Sequence, residues 1–255
     1  MTTEEHDRQA PPAAPPRLPE RAVLRNEVWL VLALSLLASA VFSLLTLFEA
    51  PLKGRTVTLF ANVGLLRQLV GIAFDLVPVL LVAHLLRRSG ERVADLGIDA
   101  RRPARDLVQG LALAALVGSV GLALYLAAVR LGVNRGVVPA PPGGQWWAVP
   151  VLLLGAARSA VLEEVIVVGY LLRRLDQLGW SPNRALAASA LLRGSYHLYQ
   201  GFGGFVGNLA LGLLFGRIYQ RQGRTAPLVA AHFLIDAAAG TGWLLLRGHV
   251  GWLPR

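Results

Sequence analysis

The sequence predicts an all-α fold, a polytopic transmembrane helical bundle of about seven spans, or eight. Three observations predict it. The 255 residues are 55% hydrophobic and 16% charged, where soluble domains carry roughly 25% charged residues. Mean hydropathy is +0.53. Apolar runs of about 20 residues, enough to cross a bilayer at ~1.5 Å rise per residue, recur along the chain.

Taken in order, residues 1–26 are polar and proline-rich ("APPAAPPRLPERA") and are expected to form a disordered cytoplasmic tail. No apolar core begins before Val28 and no small-residue cleavage site follows, so this stretch does not read as a signal peptide. Residues 27–250 read as one transmembrane domain, with spans at about 27–49, 66–87, 105–130, 147–172, 183–199, 203–220 and 225–246. The fifth is short, which leaves room for an eighth span or for a tilted or re-entrant segment. "APPGGQWW" (Ala140 to Trp147) reads as a loop ending in interfacial tryptophans. "GFGGFVGNLALG" (Gly201 to Gly212) has small residues spaced for close helix packing. No internal repeat or second domain is evident. With no cysteine present, disulfides, thiolate nucleophiles and thiolate metal sites are excluded.

The formal net charge of +10 sorts by loop. Basic residues crowd the tail (Arg8 to Arg25), the stretch Arg87 to Arg105, the stretch Arg173 to Arg184 and the stretch Arg217 to Arg224. The intervening loops carry fewer. Because positive loops favour the cytoplasmic side, the N-terminus is expected inside a multi-pass protein of the plasma membrane. The excess charge is an orientation signal, and nucleic acid is not an expected partner.

Removing the interfacial residues leaves a short polar list: Asp75 and His84, then Arg158, Glu163 and Glu164, then Arg193 and His197, and last His232 and Asp236. An ionised group at mid-bilayer costs about 2.5–3.5 kcal/mol on insertion scales, so each needs a partner, water or a function. Counting from the basic loops puts Glu163 at roughly 15 Å, His197 at roughly 20 Å, and His232 and Asp236 at roughly 10 and 17 Å. These depths overlap. His232 and Asp236 are i,i+4 and share a helix face. Glu163 and Glu164 are about 100° apart, so one should face the site while the other braces a neighbouring helix. A carboxylate and two imidazoles (Glu163, His197, His232) suit a zinc ion. They equally suit direct activation of water, with Glu as base and the His–Asp pair stabilising an oxyanion. Ser195 lies on the opposite helix face from His197, which argues against a Ser–His dyad.

The stretches "EEVIVVGYLLRRL", "LLRGSYHLYQG" and "APLVAAHFLIDAA" resemble the CPBP family (also called the ABI family), the CAAX-protease and bacteriocin-processing intramembrane peptidases. The resemblance covers about residues 147–240. The family pattern is E-E-x-x-x-R, then F-x-x-x-H, then H-x-x-x-N or D, on separate helices. It implies an intramembrane endopeptidase that acts on peptide or protein substrates in the bilayer. Glu163 would be the catalytic glutamate, His197 its partner in activating water, and His232 and Asp236 the rest of the catalytic set, by metal ligation or by holding the oxyanion. Glu164 would support. The family has been described both as metalloproteases and as metal-free, glutamate-dependent enzymes, so a zinc cofactor is an open expectation.

Two departures matter. The motif arginine would fall at Val168, and the motif phenylalanine would fall at Arg193. Arg193 is therefore expected to supply from the fifth span the charge that position 168 lacks, neutralising Glu164 across the helix interface. The departures also admit a catalytically inactive membrane scaffold, and intramembrane carboxylates and histidines suit a proton-coupled transporter or channel. No pair of Gly/Pro-broken helices marks the inverted repeat of a transporter.

Overall fold

The computed structural model describes residues 20–36, 40, 65–132, 146–246 and 249. Among them the chain is helical and contains no strand. The expected tail up to residue 19, the second half of the first expected span and most of the loop before Trp146 lie outside the described residues.

The first helix, α1 (Arg21–Ala33), begins inside the stretch expected as tail. Beyond Pro19 the sequence becomes amphipathic, and Leu24, Glu27, Val28, Val31 and Leu32 fall on one buried face. Next come α2 (Leu65–Asp75) and α3 (Val77–Arg88), broken at Leu76 where Pro78 enters the first turn of α3. A 3-10 turn (Val93–Leu96) leads to the long α4 (Pro103–Arg130). The helix α5 (Ala148–Glu163) passes into a π-helical segment (Glu164–Tyr170) and continues as α6 (Leu171–Gln177). Then follow α7 (Pro182–Ser195), a 3-10 turn (Leu198–Gln200), α8 (Phe202–Gln222) and α9 (Ala226–Leu246).

Among the described residues, four stretches are long and apolar enough to cross a membrane: Gln68–Arg88, Pro103–Ala127, Phe202–Gln222 and Ala226–Leu246. They mark a multi-pass membrane protein, and the expected count of seven or eight is not reached among the described residues. The fifth expected span differs most. As α7 it ends at Ser195, about 21 Å of helix, too short for a hydrocarbon core of about 30 Å. Its sequence explains this, because Asn183, Arg184 and Arg193 dilute its apolar residues.

The π segment is the middle of the bundle. All of its residues, Glu164 to Tyr170, are buried, and α3, α7, α8 and α9 pack around it. Apolar side chains on every face identify such a helix as one enclosed by protein. Ser189 on α7 donates to the Val167 carbonyl at 2.7 Å, satisfying one of its backbone acceptors. The antiparallel α7 and α8 lie close because Gly212 faces Ala190, whose Cα would stand 2.9 Å from a Cβ at that position. Gly204 likewise abuts Gln200 and the His197 carbonyl, whereas Gly207 faces open space. Small-residue packing thus holds for part of that motif.

The arginine-rich end of the bundle is tied together by carboxylates. Glu91 accepts from Arg173 Nε at 2.6 Å, from Gln177 Nε2 at 2.9 Å and from Arg174. Arg224 donates to Asp106 Oδ1 at 2.9 Å and to Asp99 Oδ1 at 3.1 Å. Arg88 pairs with Glu27 of α1 at 2.7 Å. Thr225 Oγ1 donates to the Leu96 carbonyl at 2.6 Å, where Gly97 (φ 74°) presses so closely on residue 223 that a Cβ would sit 2.2 Å from its carbonyl oxygen. These contacts fix the start of α9 and the end of α6, and hence the depth of the polar groups each carries.

Burial pushes the Glu91 carboxyl up, but the hydrogen bonds and charges of Arg174 and Arg173 outweigh it and hold the group below its ordinary value. A lowered folded-state value means that this contribution to stability is fully present above the unfolded value of about 4.5. It is lost as pH falls below that value and through the folded one. The unfolding temperature in detergent should therefore hold above about pH 4.5 and fall as the pH drops below it, and Glu91→Gln should flatten that fall.

Candidate active site

Tandem glutamates, one arginine and one histidine meet where α5 gives way to the π segment. Arg193, on the last turn of α7, is wholly buried. Its Nη1 donates to Glu164 Oε1 at 2.7 Å, and its Nη2 lies 3.5 Å from Glu163 Oε2. The guanidinium carbon rests 5.7 Å from the centroid of the Phe215 ring of α8. Arg193 therefore does not reach toward the interface. One planar fork spans two carboxylates that neighbouring helix positions splay about 100° apart. The α-to-π change begins at Glu164, and such segments recur at functional sites because they re-aim side chains.

From α9, His232 Nδ1 lies 2.8 Å from Glu164 Oε1 and 3.3 Å from Arg193 Nη2. A carboxylate only accepts, so Nδ1–H donates to Glu164. The opposite ring nitrogen, Nε2, faces Asp236 Oδ2 at 3.4 Å. Asp236 is the solvent-facing member, its side chain 40% exposed. Glu164 is the bracing glutamate, tying the central helix to both α7 and α9. Glu163 is directed to Tyr196, whose hydroxyl donates to Oε2 at 2.8 Å.

His197 caps the 3-10 turn that follows α7. Its Nδ1 is 2.9 Å from the Arg193 carbonyl, an acceptor, so Nδ1 carries the proton and Nε2 is left as a lone-pair donor in the neutral ring. Its ring packs 4.7 Å from that of Tyr196 and 6.3 Å from that of Tyr199. After the 3-10 turn Gly201 adopts φ 105°, a conformation that L side chains rarely take, and from there the chain enters α8.

The structure thus brings Glu163, Glu164, Arg193, His232 and Asp236 into one connected set, with His197 beside it through Tyr196. Asp75 and His84 stand apart. Asp75 pairs with Arg158 of α5 at 3.1 Å, while His84 is exposed on α3. Ser195 donates to its own helix at Leu191. Tyr196 escaped the sequence reading; it lies between Arg193 and His197, but a tyrosine in an apolar stretch carries no signal of its own.

Glu163, His197 and His232 lie around one buried arginine rather than around a common point. Among the described residues no three His, Asp or Glu side chains are grouped as a metal site. The guanidinium already supplies positive charge beside Glu163, Glu164 and His232.

Helices long and apolar enough to cross a membrane thus enclose a buried Glu–Arg–His cluster. Residues 145–238 match the family model described as Rce1-like, type II CAAX prenyl endopeptidase Rce1-like. That stretch coincides with the three motifs that resemble the CPBP family, so the match agrees with the resemblance. No curated protein and no solved structure matches the chain at a significant level.

Arg193→Leu leaves two buried carboxylates without their cation, a loss of about 3–5 kcal/mol for breaking one side of a buried pair. A markedly lower unfolding temperature in detergent is expected. Arg193→Lys should recover part of it, since an ammonium cannot make two parallel contacts. An unaltered unfolding temperature in Arg193→Leu would remove Arg193 from this role.

Proposed function

We propose that the protein is an intramembrane peptidase of the CAAX-protease type that cleaves a peptide bond with a water activated by Glu163 and His197. The observation that carries this reading is the buried contact set around Glu163, beside His197, whose Nδ1 is held by the Arg193 carbonyl and whose Nε2 meets no partner among the described residues. Glu163 takes a proton from the water as it attacks the scissile carbonyl and returns that proton to the leaving amine. His197 Nε2 orients the water. His232, held by Glu164 through Nδ1 and facing Asp236 through Nε2, is placed to meet the tetrahedral oxyanion. Arg193 balances the two carboxylates throughout. The match to an endopeptidase family supports peptide hydrolysis as the reaction and does not favour the transporter or channel. No step in this scheme passes through a metal.

The substrate class is a membrane-associated peptide or protein, and the basic end of the bundle is the cytoplasmic side on this reading. The test is cleavage of a peptide library by purified protein in lipid. Glu163→Ala and His197→Ala should each lower turnover by more than about hundredfold, the range of a lost general base, while insertion and folding persist. Cleavage should survive a zinc chelator. Retained turnover in both variants would overturn the mechanism.

A further inference from the structure

We propose that Tyr196 is a positioning residue that fixes which oxygen of Glu163 acts on the water; this rests on the reading of Glu163 as the base. A carboxylate at the end of a glutamate turns about a broad terminal torsion, so its two oxygens are interchangeable unless something distinguishes them. Here something does. Oε2 accepts from the Tyr196 hydroxyl at 2.8 Å and has Arg193 Nη2 at 3.5 Å. Oε1 receives no hydrogen bond from any described residue, and the Glu163 side chain keeps 11% of its surface exposed. One oxygen is clamped from α7 and the other is left for a reactant.

The tyrosine is also where the base meets its partner histidine. Tyr196 directly precedes His197 at the end of α7, and the two rings pack 4.7 Å apart at a tilt of 41°. The phenol therefore touches Glu163 with its hydroxyl and His197 with its ring, linking the central helix to the turn after α7. Being only 5% exposed, it works in a setting where a hydrogen bond to a charged group is stronger than in water. Holding both groups in register is the kind of preorganisation that accelerates a step without contributing an atom to it.

The experiment compares wild type, Tyr196→Phe and Glu163→Gln in the same lipid and with the same cleaved peptide. Tyr196→Phe keeps the ring against His197 and removes only the hydroxyl. It should lower kcat about ten- to hundredfold, the size of one lost charge-assisted hydrogen bond, with KM within about twofold. A purely structural role would reduce the folded fraction and leave kcat per folded molecule unchanged, which overturns the proposal. A second measurement needs no turnover. The infrared carboxylate bands should differ between wild type and Tyr196→Phe, and the same comparison made in a Glu163→Gln background should lose that difference. A difference that persists in the Gln background overturns the proposal. An active Glu163→Gln would instead overturn the reading of Glu163 as base, so the two failures are separable.

Discussion

One guanidinium makes the rest of this site possible. Two carboxylates on successive residues of a buried helix repel each other where the dielectric is low, and neither is tolerated there without a partner. Arg193 reaches both from a different helix, and the ring of Phe215 closes over it. Through Glu164 it also determines where His232 sits. Three helices are thereby joined at a single charge. The two glutamates become different groups as a result: Glu164 is fully enclosed, while the Glu163 side chain keeps 11% of its surface exposed.

The arrangement depends on rigidity applied elsewhere. At the arginine-rich end, Glu91, Asp99 and Asp106 tie Arg173, Arg174 and Arg224 into a belt that sets the axial position of α6 and α9. The Arg224 guanidinium beside Asp99 holds that carboxyl below its ordinary value, in keeping with a site ionised at neutral pH. From those fixed ends the polar groups stand at set distances along their helices. The small residues between α7 and α8 do the same laterally, letting Arg193 approach the central helix.

Much of this was legible in the chain itself. Composition and apolar runs gave the helical membrane class, and counting from the basic loops gave matched depths for the polar groups. The displaced arginine was legible because Val168 and Arg193 break the pattern in complementary ways. Other features were not. The full count of crossings is not reached among the described residues, and α7, with Asn183, Arg184 and Arg193 among its residues, ends at Ser195 after about 21 Å. The π segment depends on tertiary packing, since valine, isoleucine and glycine in that order suit an ordinary helix equally well. Tyr196 was hidden because its role lies in one contact across a helix interface. The basic loops were read as an orientation signal, and five of their arginines, Arg88, Arg173, Arg174, Arg217 and Arg224, are cross-links as well.

The transplanted charge has a consequence for descent. An arginine at position 168 and one at position 193 would contend for the same pair of acids, so a lineage carrying both holds a surplus buried cation and one carrying neither holds a deficit. In this chain the balance at Glu164 is kept by Arg193 alone of the two positions.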